Sequence, residues 1–118
     1  MEAQKYTGSC HCGNVRFEVQ GDMSNVISCN CSMCSRTGAL LAFVPAAQFT
    51  LLKGEDAQGV YKFNKHVIEH LFCKACGIRS FARGKGREGA EMRAINVRCL
   101  EGIDLDKLTI KKVDGRSL

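Results

Sequence analysis

Eight of the 118 residues are cysteine, and seven of those fall into three tight clusters. They are Cys10-His11-Cys12, then Cys29-Asn-Cys31-Ser-Met-Cys34, then Cys73-Lys-Ala-Cys76, with Cys99 standing alone. Thiols packed this densely are either cross-linked or metal-bound. The start, Met1 to Cys10, is polar and holds no apolar stretch of signal-peptide length. A soluble cytoplasmic protein with reduced thiols is therefore expected. A Cys-x-Cys pair would also close a strained ring as a disulfide. Metal binding is the expected use of the clusters.

The clusters sort by local pattern. Cys10-His-Cys12 is followed by Gly13, and Cys73-Lys-Ala-Cys76 by Gly77. A glycine after the second cysteine can take positive φ and turn backbone N–H groups toward the sulfurs. The two pairs look like halves of one closed tetrahedral four-cysteine zinc site. Such a site would staple the start of the chain to a distant hairpin, which should matter for folding.

Cys29, Cys31 and Cys34 then form a triplet that can place three thiolates around one metal from a single turn. Three protein ligands with an open fourth position is the layout of catalytic zinc. The open position can take water, hydroxide or a substrate thiolate, whose pKa the metal lowers. Cys99 leaves two alternatives open. It could close this second site as a fourth ligand, or act as a reactive thiol. Its place in the alternating segment Ala94 to Leu100 favours a third role, as a small buried apolar side chain.

Around the cysteines the chain reads as short strands. Val15, Phe17 and Val19 alternate with Arg16, Glu18 and Gln20, the pattern of a half-buried strand. Strands are also predicted over Val26 to Cys29, Leu40 to Val44 (stopped by Pro45), Phe49 to Lys53, Val60 to Phe63, Val67 to Phe72, Met92 to Leu100 and Leu108 to Val113. Arg79 to Arg83 is expected to pair back as a hairpin arm, and Ser32 to Arg36 to form one helical turn. Gly54-Glu55-Asp56 and Gly84 to Gly89 read as turns. No long apolar stripe of helical period is present. The expected fold is mainly β: small antiparallel sheets stapled by zinc. The length allows one zinc-binding domain over residues 1–118, large enough to bury a core.

Gly8-Ser-Cys-His-Cys-Gly13-Asn-Val-Arg-Phe17, then Cys29-Asn-Cys-Ser-Met-Cys34 with Gly38, then Phe72-Cys-Lys-Ala-Cys-Gly77, resemble the glutathione-dependent formaldehyde-activating family. That family shares its domain with centromere protein V. The resemblance implies an Mss4-like β fold, a structural zinc at Cys10, Cys12, Cys73 and Cys76, and a catalytic zinc at Cys29, Cys31 and Cys34. Two zinc ions are thus implied, the second site open to partial occupancy. The family's reaction joins glutathione and formaldehyde as S-hydroxymethylglutathione, classed as a carbon–sulfur lyase in reverse. The implied partner is a small-molecule thiol or thiol adduct.

The longest apolar run, Ala39 to Ala47, has nine residues and is too short to span a bilayer. The formal charge of +5 falls to about +2 once seven thiols ionise on two zinc ions. That weakens a nucleic-acid reading resting on charge. A non-catalytic zinc-stabilised module that binds nucleic acid or protein remains the alternative function, and a sulfoxide reductase using Cys99 a third. Gly84-Lys-Gly-Arg-Glu-Gly89 fits a dinucleotide-loop pattern, but the following segment alternates like a strand, not a helix. Arg79, Arg83, Lys85 and Arg87 form a basic cluster expected to be solvated surface, with an anchor for acidic ligands as its functional reading. Arg36, two residues past Cys34, is the candidate for holding a carboxylate of the substrate. His11, His66 and His70 are not needed as ligands. Glu69 and Ser35 are the nearest general-base candidates.

Overall fold

Phe17 and Val19 point inward from β2 (Arg16–Gly21) and are almost fully buried, as their alternation predicts. The computed structural model describes residues 4–62, 68–86 and 89–115. In chain order its other strands are β1 (Gln4–Ser9), β3 (Asn25–Cys29), β4 (Leu41–Pro45), β5 (Phe49–Lys53), β6 (Gln58–Tyr61), β7 (Glu69–Cys73), β8 (Phe81–Lys85), β9 (Glu91–Asn96) and β10 (Thr109–Val113). A single helical turn, α1 (Cys34–Thr37), sits between β3 and β4. The fold is mainly β, as expected. Phe63, Val67 and the tail beyond Gly115 lie outside the described residues, as do His66 and Arg87.

The strands form a three-stranded sheet, β1-β2-β5, and a seven-stranded sheet, β10-β3-β4-β9-β8-β7-β6. Phe17 and Phe49 from the small sheet meet Phe81 from the large one. Their ring centroids lie 5.4, 4.5 and 6.0 Å apart, so aromatic packing joins the sheets. Val15, Met23, Val26, Ile95 and Val97 complete the buried centre.

Four features differ from or refine the sequence expectations. β1 was not among the predicted strands. Its inward positions are Tyr6 and Gly8, so it lacks the apolar alternation that marks a strand. Gly8 is needed there, because a Cβ would run into the Phe17 ring. Gly54 does separate two strands, but its φ of +106° carries the chain from the small sheet into the large one instead of making a hairpin. The predicted strand Met92 to Leu100 ends at Asn96. The Asn96 side chain accepts the Arg98 N–H at 3.2 Å and starts a 3₁₀ turn over Val97–Cys99. Finally, among the described residues the strand pairings are antiparallel except one. β10 runs parallel to β3 and sets Val113 opposite Cys29, which brings the end of the described chain to the cysteine triplet.

Candidate metal centres

Gly13 and Gly77 have φ of +83° and +82°, the shared local geometry that their positions after Cys12 and Cys76 predict. Each cysteine pair thus ends in the same kind of turn. Cys10 Sγ lies 3.7 Å from Cys12 Sγ, which lies 3.6 Å from Cys73 Sγ. All four sulfurs of Cys10, Cys12, Cys73 and Cys76 fall within 4.8 Å of one another. Two thiolates on a tetrahedral zinc sit about 3.8 Å apart, so the four could hold a metal ion of that size.

Backbone amides prepare this cluster for negative charge. The Val15 N–H donates to Cys10 Sγ at 3.3 Å. The Cys76 thiol is brought down to about 6, first by the Ile78 N–H and then by that of Cys12. Cys73 is lowered mainly by the Cys76 N–H. Cys12 stands at about 11: the Asn14 N–H acts to lower it, but desolvation and the neighbouring thiols outweigh that. Close thiols cannot all ionise without a cation between them.

The second centre is built by the end of β3 and the turn after it. β3 delivers Cys29, and α1 begins at Cys34. The turn is held by Ser35 N–H to the Cys31 carbonyl (2.9 Å) and by Gly38 N–H to the Cys34 carbonyl (3.0 Å). Gly38 closes it with φ of +70°. The Cys31 N–H donates to Cys29 Sγ at 3.4 Å, and the Cys34 N–H to Cys31 Sγ at 3.3 Å. The three sulfurs again lie within 4.8 Å of one another. Burial, then Cys31, pushes the Cys34 thiol up to about 12. Burial also opposes ionisation of Cys31, but the Cys34 N–H and the flanking thiols outweigh it and lower that thiol. The donor set is all sulfur, suited to a borderline-soft divalent ion. Gly115 packs against this cluster so tightly that a Cβ there would overlap Cys29 Sγ.

Among the described residues no fourth histidine, cysteine, aspartate or glutamate joins the triplet. Cys99 belongs to neither group. Its thiol points at the Arg79 carbonyl, 3.9 Å away, and burial pushes its pKa up. A protonated, half-buried thiol is a poor nucleophile.

The family model described as glutathione-dependent formaldehyde-activating enzyme matches residues 5–111. The chain belongs to this family. It is also similar to a Rhodobacter sphaeroides protein of known crystal structure. The two are 30% identical with a TM-score of 0.80, and the match covers 91% of this chain and 99% of that one. Membership in the formaldehyde-activating family ties the chain to glutathione- and formaldehyde-related chemistry.

The basic residues of this family member divide. Arg36 is exposed and donates from Nη1 to the Ser32 carbonyl at 2.8 Å, which steadies the cysteine turn. Arg83 faces Glu69 at 3.2 Å, as does Lys62 at 3.8 Å, so Glu69 serves a surface ion-pair group on the sheet. Ser35 Oγ donates to the Ser32 carbonyl. The Gly84 to Gly89 segment is followed by β9, a strand, so the dinucleotide pattern lacks its helix. Arg79 has its Nε and Nη1 buried, and only its membership of a basic cluster singled it out in the sequence. No helix among the described residues is long and apolar enough to cross a membrane.

Proposed function

We propose that this protein is a zinc enzyme that joins a small thiol to formaldehyde, with glutathione the leading thiol, and that it belongs functionally with carbon–sulfur lyases. One observation carries the reading. Three cysteine sulfurs converge while no fourth protein ligand among the described residues joins them. The four-cysteine cluster supplies the contrast, since it is complete by itself.

In this reading Cys10, Cys12, Cys73 and Cys76 hold a structural zinc, and Cys29, Cys31 and Cys34 a catalytic one. When bound at the triplet, zinc supplies Lewis acidity and holds a substrate thiol as thiolate at neutral pH. The N–H groups of Cys31 and Cys34 orient the Cys29 and Cys31 sulfurs that would hold the ion. Arg36 stands at the exposed rim beside Cys34, where it suits a carboxylate of the thiol substrate. The overall step adds S–H across C=O. The S–H bond and the carbonyl π bond break, a sulfur–carbon bond and an O–H bond form, and the C–O σ bond stays intact.

The test is Cys34→Ser. Zinc content is expected to fall from about two ions per chain to about one, with formation of the hydroxymethyl thioether lost. Wild-type protein carrying both zinc ions that turns over no thiol–aldehyde pair would overturn the enzyme reading.

A further inference from the structure

Arg79 carries a partly buried guanidinium, and its hydrogen bonds are incomplete. Its Nη2 donates to His70 Nδ1 at 2.6 Å. A guanidinium has no acceptor, so His70 must present the Nδ1 lone pair and carry its proton on Nε2. His70 is itself buried on β7. The Arg79 Nε and Nη1 are also buried, and neither has a hydrogen-bond partner. Buried donors in native proteins are nearly always satisfied, and an unpaired charged one is costly.

Strand register places the Arg79 backbone at the same end of the large sheet as the cysteine triplet. Ile27 of β3 pairs with Leu41 of β4, and Leu41 with Asn96 of β9. The Asn96 side chain then donates to the Arg79 carbonyl at 3.0 Å, just ahead of β8. Cys29 ends β3, and the Cys34–Gly38 turn leads into β4, at that same end. Consistent with this placement, the Cys34 and Cys31 thiolates favour the Arg79 charge against its burial.

We propose that Arg79, pinned by His70, is an anion-holding residue of the three-cysteine centre, and that its Nε and Nη1 take an anionic oxygen of the substrate. Two sources share that chemistry: the oxygen developing on the aldehyde carbon, and a carboxylate of the thiol. His70 is a positioning residue that acts through Arg79. The inference deepens the preceding reading, since it takes the triplet as the place where the thiol binds.

The experiment follows the Arg79 Nε–H signal of the zinc-loaded protein by nitrogen-15 NMR, assigned by its loss in Arg79→Lys. Acetate, glutathione, and glutathione with formaldehyde are titrated separately. A saturable shift with acetate or with glutathione alone identifies a carboxylate. A shift appearing only when formaldehyde is added identifies the adduct oxygen. In parallel, Arg79→Gln is expected to weaken binding of the effective ligand roughly tenfold to a hundredfold with zinc content unchanged. His70→Gln should weaken it less and broaden the Arg79 signal. If acetate moves Arg79 while glutathione moves nothing, the enzyme reading fails and this inference stands. If glutathione moves the amides of Cys29 to Cys34 but no ligand moves Arg79, this inference is overturned and the enzyme reading survives. Loss of the second zinc in both Arg79→Gln and Arg79→Lys also overturns it, by making Arg79 a counter-charge for the thiolates.

Discussion

Gly115 shows how one missing methyl can decide whether the cysteine triplet can assemble. Its Cα lies against Cys29 and Cys31, and a Cβ would occupy the space of Cys29 Sγ. Gly115→Ala should displace Cys29 and release the second metal while sparing the first. Metal analysis is expected to read about one zinc per chain in place of about two. His70 makes a second residue-scale case. Burial, then the Arg79 charge, holds its pKa below the ordinary 6.5. The unfolded chain therefore binds a proton that the folded chain refuses, so stability falls as pH drops below 6.5 toward the lowered value. Thermal melts between pH 7 and pH 5 at saturating zinc should show a loss that is smaller in His70→Gln. An equal slope in both would remove His70 as its source.

At the scale of elements, β10 matters more than its exposed side chains suggest. Its pairing with β3 covers the strand that delivers Cys29. Asn30 extends the contact, donating from Nδ2 to Asp114 Oδ1 at 2.9 Å and from its backbone N–H to the Val113 carbonyl at 3.1 Å. A chain ended at Lys107 should keep the four-cysteine centre and lose the metal at the triplet. Counting reactive thiols would then find those of Cys29, Cys31 and Cys34 newly accessible. Protection of all three would show that β3 and its turn need no partner strand. β2 makes the complementary point. Its alternation is legible in the sequence because one face packs on Phe49 and Phe81 and the other meets solvent.

For the whole molecule, the four-cysteine centre links the segment after β1 to the β7–β8 hairpin, with Cys12 and Cys73 separated by 61 positions. A structural zinc contributes on the order of 10 kcal/mol, comparable to the whole stability of a domain of this size. Cys73→Ser should therefore abolish cooperative thermal unfolding. Cys29→Ser, which removes a ligand from a turn between adjacent strands, should lower the melting temperature only modestly. Similar losses in the two variants would mean that both centres are structural.

Much of the fold and of both cysteine centres is legible in the sequence. The three cysteine clusters follow from spacing alone, because ligands from a short turn must lie close in sequence. Their sorting into a complete set and an incomplete one rests on counting donors and on the glycines at 13 and 77. Strands with one buried face announce themselves by alternation. What spacing could not reveal was contact between distant segments. β1 was hidden because Gly8 gives way to Phe17. Cys99 was drawn off its strand by the Asn96 cap and set apart from both centres. The parallel β10 and Gly115 reach the triplet only through strand order. Arg79, one basic residue among several in the sequence, is distinguished by its buried bond to His70. Local chemistry was written in the sequence, and the surroundings of each centre were set by packing across the sheets.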